Sequence, residues 1–171
     1  MSKRLTRAIF ALVMVAGLTI GVAAMAGAQG RNNEFNATMR GSSETPKGPA
    51  GASGTFTVEF ENGQACFRMS VRGLGAFPVA AHIHRGAAGV NGPIVVDLKA
   101  TARSTWKGTS PRVAQKCVTA RAVVVSAIRR NPAGYYANVH TSKNPGGAAR
   151  GQLRVDRSGD DDSSDDNGND G

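Results

Sequence analysis

The stretch from Gly54 to Val71 admits one local fold. Phe56, Val58 and Phe60 alternate with Thr55, Thr57 and Glu59, and Phe67, Met69 and Val71 repeat the alternation beyond Asn62-Gly63. A period of two puts the apolar set on one face of a strand. Asn-Gly supplies the two positive φ angles of a type I′ turn. A hairpin with one apolar face cannot stand alone in water, so it demands further strands.

Candidates follow along the chain. Glu34 to Met39 alternates, with Phe35, Ala37 and Met39 on one face, and Gly41 to Gly54 is a loop rich in Gly, Ser and Pro. Pro78 to His84, Ile94 to Leu98, Tyr135 to Thr141 and Arg150 to Val155 read as strands. Lys99 to Lys116 is polar and is expected to be a long surface excursion, with Trp106 its one large apolar residue. Val123-Val124-Val125 favours a strand, yet Ala120, Val123, Val124, Ala127 and Ile128 form a helical stripe. Thr119 is placed to cap a helix there, and Asn131-Pro132 to stop it. About seven short strands and one short helix make an all-β chain, an antiparallel Greek-key-like β-sandwich or flattened barrel.

Both ends differ from this middle. Residues 1–28 have the layout of an export signal: Lys3, Arg4 and Arg7, an apolar core from Ile9 to Val15, and Ala26-Gly27-Ala28 as cleavage site. The rival reading is an uncleaved anchor, because Ala8 to Ala28 carries no charge. Its many Gly and Ala residues favour cleavage. Residues 29–157 form one domain, and residues 158–171 an acidic tail with too little apolar surface to fold.

Formal net charge is +9, but residues 29–157 alone carry 18 basic against six acidic side chains, or +12. Such a domain could bind anionic polymers. The bases are scattered, however, with Arg129-Arg130 the longest run, and aromatic residues are not interleaved with them. A solvated charged surface is the plainer reading, and no nucleic acid is expected. Cys66 and Cys117, the two cysteines, make one disulfide in an exported chain, worth about 4 kcal/mol by loop closure.

Chemistry concentrates at the three histidines. His82 and His84 share one face of the Pro78–His84 strand, with Val79, Ala81 and Ile83 opposite, and His140 lies in the Tyr135–Thr141 strand. Three imidazoles suit one Cu or Zn ion. Asp97, the one acid between Cys66 and Cys117, is a candidate fourth ligand or supporting partner. The alternative is packed histidines whose nitrogens bond to backbone carbonyls or to Asn138. No Gly-x-Ser-x-Gly elbow or phosphate loop occurs.

Ala80-Ala81-His82-Ile83-His84-Arg85-Gly86, Asn91-Gly92-Pro93-Ile94-Val95, Asn131 through Thr141, Asn144-Pro145-Gly146-Gly147 and Arg150-Gly151-Gln152-Leu153 together resemble the CHRD domain. The likeness covers roughly Glu34 to Val155. It implies an all-β extracellular module of the type repeated in chordin and found alone in exported bacterial proteins, with no established activity in those. Lys99 to Lys116 departs from the pattern. A second likeness, at the level of fold, is to copper-zinc superoxide dismutase with its His-x-His strand, but three histidines are too few for a dinuclear centre.

The sequence thus describes a secreted or extracytoplasmic, non-enzymatic β module that binds an extracellular or envelope ligand or serves as structure. Nothing after signal cleavage would hold it in a membrane. Its site residues are His82, His84 and His140, with Arg85 and Arg150 as an anionic-ligand surface beside them. The alternative is a mononuclear Cu or Zn protein.

Overall fold

The computed structural model describes residues 33–157, so the expected export signal and acidic tail lie outside the described residues. Ten strands and one α-helix follow in order: β1 (Glu34–Arg40), β2 (Ser53–Glu61), β3 (Gln64–Arg72), β4 (Pro78–Arg85), β5 (Ile94–Asp97), β6 (Trp106–Lys107), β7 (Arg112–Thr119), α1 (Ala122–Arg130), β8 (Tyr135–Thr141), β9 (Ala149–Gln152) and β10 (Arg154–Val155). All pairings are antiparallel, in one sheet of order β5-β4-β8-β9-β1-β2-β3-β7-β6, with β10 alongside β1.

This sheet has to curl. Laid flat, its nine-strand path would separate β5 and β6 by about 38 Å, at about 4.8 Å per neighbour. Yet Asp97 ends β5 and Trp106 begins β6, and that span of chain reaches at most about 31 Å. Curling brings the two edges together over a single core. Ala81 and Ile83 of β4 there join Phe56 and Phe67 of the hairpin, Trp106 and Ile128.

The β2–β3 hairpin forms as the alternation requires. Asn62 and Gly63 have φ of 49° and 74°, and Glu61 pairs with Gln64 across the turn. Phe35, Ala37 and Met39 of β1 extend the same buried face.

Three expectations need correction. The stretch from Lys99 to Lys116 is largely exposed, as expected, but it is anchored at several points and ends in a strand. Ala100 and Trp106 are buried, the Trp106 indole N–H donates to the Ala100 carbonyl, and β7 pairs with Gln64 to Val71 of β3. The alternation of β7 is hidden because Lys116 stands opposite inward-facing Phe67, between buried Ala114 and Val118. Strand β7 is defined by its partner rather than by its own pattern.

Second, Thr119 ends β7 and caps nothing; Arg121 occupies the N-cap of α1 with no side-chain bond. The helix starts later than expected; Ala120, Val124, Ala127 and Ile128 of the stripe do meet the core, but Val123 is 62% exposed and Val125 is buried in its place. Its end is as expected. The Asn131 N–H bonds back to Ala127, and Arg129 and Arg130 lie where the helix dipole favours cations. Third, a register shift between Pro78 and Ala80 turns Val79 outward, so Ala81 and Ile83 alone enter the core from that face.

The disulfide joins Cys66 and Cys117, directly opposed residues of β3 and β7, on the sheet's outer side. Such a bond belongs to an oxidising, extracytoplasmic compartment. Among the described residues, no helix is long and apolar enough to cross a membrane.

Candidate metal centre

The site is built where β4 and β8 lie side by side. His82 pairs with Asn138, His84 with Tyr136, and Ala80 with His140. His140 is therefore the diagonal cross-strand neighbour of His82, within side-chain reach on the same face. The three histidines each bring a ring nitrogen to within 4.8 Å of the other two.

Loops fix two of the rings. A carbonyl only accepts, so His84 Nδ1 carries the proton that it donates to Gly92 O at 2.8 Å. In the same way His140 Nδ1 donates to Pro145 O at 2.9 Å. The His84 ring, when neutral, then presents a bare Nε2; His140 does so when Asn138 turns its NH2 rather than Oδ1 towards the ring. Nε2 of His84 is buried without a hydrogen-bond partner, and Nε2 of His140 faces both His82 Nδ1 and the acceptor Asn138 Oδ1, each at 3.0 Å. A backbone carbonyl that holds the far nitrogen of a ring is the usual support of a metal-binding imidazole.

The surroundings disfavour the charged form of His82 and of His140. Burial, then the neighbouring His140 and His84, push His82 down to about 4, against the weaker opposite pull of Asp97. Burial also lowers His140, outweighing the bond to Pro145 that works to raise it. A neutral imidazole has its lone pair free for a metal.

His84 is held from its faces as well. Its ring stacks on Tyr136, with centroids 4.9 Å apart and planes 7° from parallel. The Arg150 guanidinium lies over the Tyr136 ring at 4.5 Å. Arg150 also donates from Nε to Ser43 O and from Nη1 to Val90 O and Asn91 Oδ1, while Nη2 donates to Thr45 Oγ1. One side chain thus ties together the two loops that roof the outer face of β8 and β9, including the loop that supplies Gly92.

The expectation that Arg150 shapes an anionic-ligand surface is accordingly corrected: it is 1% exposed and its donors are spent on the protein's own loops. Its charge faces Glu44, 4% exposed, at 3.9 Å. Arg85 is exposed, and its backbone N–H closes the loop onto Pro93 O.

Asp97 pairs with His82 in the β4–β5 register but is not in the cluster. Its carboxylate accepts from the Lys99 N–H and from Lys99 Nζ, each at 2.8 Å. Burial works to raise its pKa, but these bonds prevail and hold it below the ordinary value.

Sequence reasoning did not single out Tyr136, Gly92, Pro145 and Glu44 as supports. Tyr136, Gly92 and Pro145 do stand inside the motifs that carry the family resemblance, and those motifs prove to be the loops and strand that hold the rings. Glu44 lies in a loop that reads only as Gly, Ser and Pro, with no local sign of burial.

Fold and site together define an all-β, disulfide-bonded module with a polar cluster buried beneath two loops on its sheet's outer face. A family model for the CHRD domain matches residues 35–153, well over half of the chain. The chain belongs to the CHRD domain family. No curated protein matches it.

Proposed function

We propose that this chain is an exported, non-enzymatic binding module that holds a single Cu or Zn ion on His82, His84 and His140. One observation carries the reading: three ring nitrogens converge while carbonyls of two separate loops hold the Nδ1 atoms of His84 and His140. The dimensions fit. Tetrahedral nitrogen ligands about 2.1 Å from zinc stand roughly 3.4 Å apart. His82 and His140 are at 3.0 Å, and all three nitrogens lie within 4.8 Å. An ion at the centre replaces the proton that His82 shares with His140 and gives the buried Nε2 of His84 a partner. Asp97 is not needed.

The His82–His140 contact favours a second reading, in which the cluster is polar packing and no ion binds. Calorimetric titration of tag-free protein with Zn²⁺ and with Cu²⁺ separates the two. One equivalent bound, lost in His82→Ala and in His140→Ala, supports the metal centre. No saturable binding of either ion, with a lowered melting temperature in both variants, establishes packing instead.

A further inference from the structure

Bases that are scattered in sequence are gathered by the sheet. The register of β1, β2 and β3 sets Arg40, Ser53 and Arg72 side by side in one cross-strand row. Thr38, Thr55 and Ser70 form the next row of this face, and Asn36, Thr57 and Arg68 the one after. Arg154 of β10 stands opposite Asn36 and extends that last row. Glu34 and Glu59 oppose each other only beyond these rows, towards the hairpin turn. The outer face is thus basic and hydroxyl-rich at one end and acidic at the other.

The basic end is concave. Two adjoining depressions, of about 360 and 630 Å³, share Thr38 and Arg40 as a common wall. The first runs to Arg72, and the second to Arg154 and Lys47. Arg40, Lys47, Arg72 and Arg154 are all exposed, and Arg72 bonds only Ser53 Oγ, at 3.2 Å. The ion pairs Asp97–Lys99 and Glu44–Arg150 use none of the four. Glu44 is the one carboxylate lining the depressions, and it is buried against Arg150.

We infer that this groove binds an anionic polysaccharide, with Arg40, Arg72, Arg154 and Lys47 on its carboxylate or sulfate groups and Thr38, Thr55 and Ser70 on its hydroxyls. The inference rests on residues apart from the histidines and gives the envelope-binding role a ligand class. Charge complementarity supplies the sign of the partner, and Arg matches a carboxylate bidentately. Arg40 and Arg72 are two strand spacings apart, about 9.6 Å, on the scale of a disaccharide. No aromatic ring lines either depression, so the stacking platform of a single-stranded nucleic acid site is missing. Each exposed pair is weak alone, so a repeating polymer gains by engaging several at once.

Fluorescence polarisation with a labelled alginate oligomer tests this on the full exported protein. We expect saturable binding that weakens steeply with salt. It should fall at least tenfold in Arg40→Ser/Arg72→Ser and be retained in Arg40→Lys/Arg72→Lys, with melting temperatures unchanged. Arg129→Ser/Arg130→Ser on α1 removes the same charge elsewhere and should change binding less than twofold. Equal losses in the two Ser pairs would reduce the effect to net charge and overturn the groove. So would the absence of saturable binding, or an oligonucleotide of equal charge that binds tighter through the same arginines. His82→Ala should leave alginate binding intact, so failure here and failure of the metal centre are distinguishable.

Discussion

Arg150 is the side chain on which the buried polar cluster turns. It offsets Glu44, bonds both roofing loops and covers the Tyr136 ring that stacks on His84. Truncation leaves a buried carboxylate without its cation, which costs about 3–5 kcal/mol in comparable sites. Arg150→Ala should therefore destabilise strongly in chemical denaturation. Glu44→Gln in the same chain should restore part of the loss, whereas independent sites would simply add. Glu44 has its own signature. Burial raises its pKa to about 7, against the opposite effects of Arg150 and a backbone bond at Thr45. The unfolded chain releases this proton near the ordinary value of 4.5, so stability falls as pH rises from about 4.5 to about 7 and then levels. A shift of that size corresponds to about 3 kcal/mol. Glu44→Gln should remove this slope from the pH dependence of unfolding. His82 acts with the opposite sign. Its pKa is lowered, so the unfolded chain binds protons first, and stability is lost as pH falls from about 6.5 towards 4.

Among the elements, β7 shows what the sequence conceals. The hairpin of β2 and β3 was legible because Phe56, Val58, Phe60, Phe67, Met69 and Val71 all obey a period of two around Asn62-Gly63. Strand β7 breaks that period with Lys116 and borrows its definition from β3 and from the disulfide. The Cys66–Cys117 bond closes a separation of 51 residues, for which loop-closure entropy gives about 4 kcal/mol. Cys66→Ser/Cys117→Ser should lower stability by an amount of that order, measured by denaturant unfolding. Amide exchange in β6 and β7 should rise first, since these strands form the free edge beyond β3. An unchanged denaturation midpoint would contradict the cross-link's role. Helix α1 was legible in kind and in its stop at Asn131-Pro132. Its buried face was legible for the most part, since Ala120, Val124, Ala127 and Ile128 of the stripe meet the core; exposed Val123 and buried Val125 depart from it.

For the whole molecule, one curled sheet serves two surfaces. Its inner face packs a single core, and its outer face carries the histidine cluster on β4 and β8 and the basic groove on β1, β2 and β3. The three histidines could be paired from sequence because strand alternation puts His82 and His84 on one face and the Gly-rich loops flank both runs. The row of arginines could not, because Arg40, Arg72 and Arg154 become neighbours only through a register that no local pattern specifies. Nor could the buried state of Arg150, which depends on two loops that fold over it from distant parts of the chain. The most direct measurement is metal content by mass spectrometry on exported, folded, tag-free protein, beside a His82→Ala/His84→Ala variant prepared identically. The account predicts close to one Cu or Zn per chain, absent from the variant. A folded protein that carries neither metal and acquires none on exposure to both would contradict it.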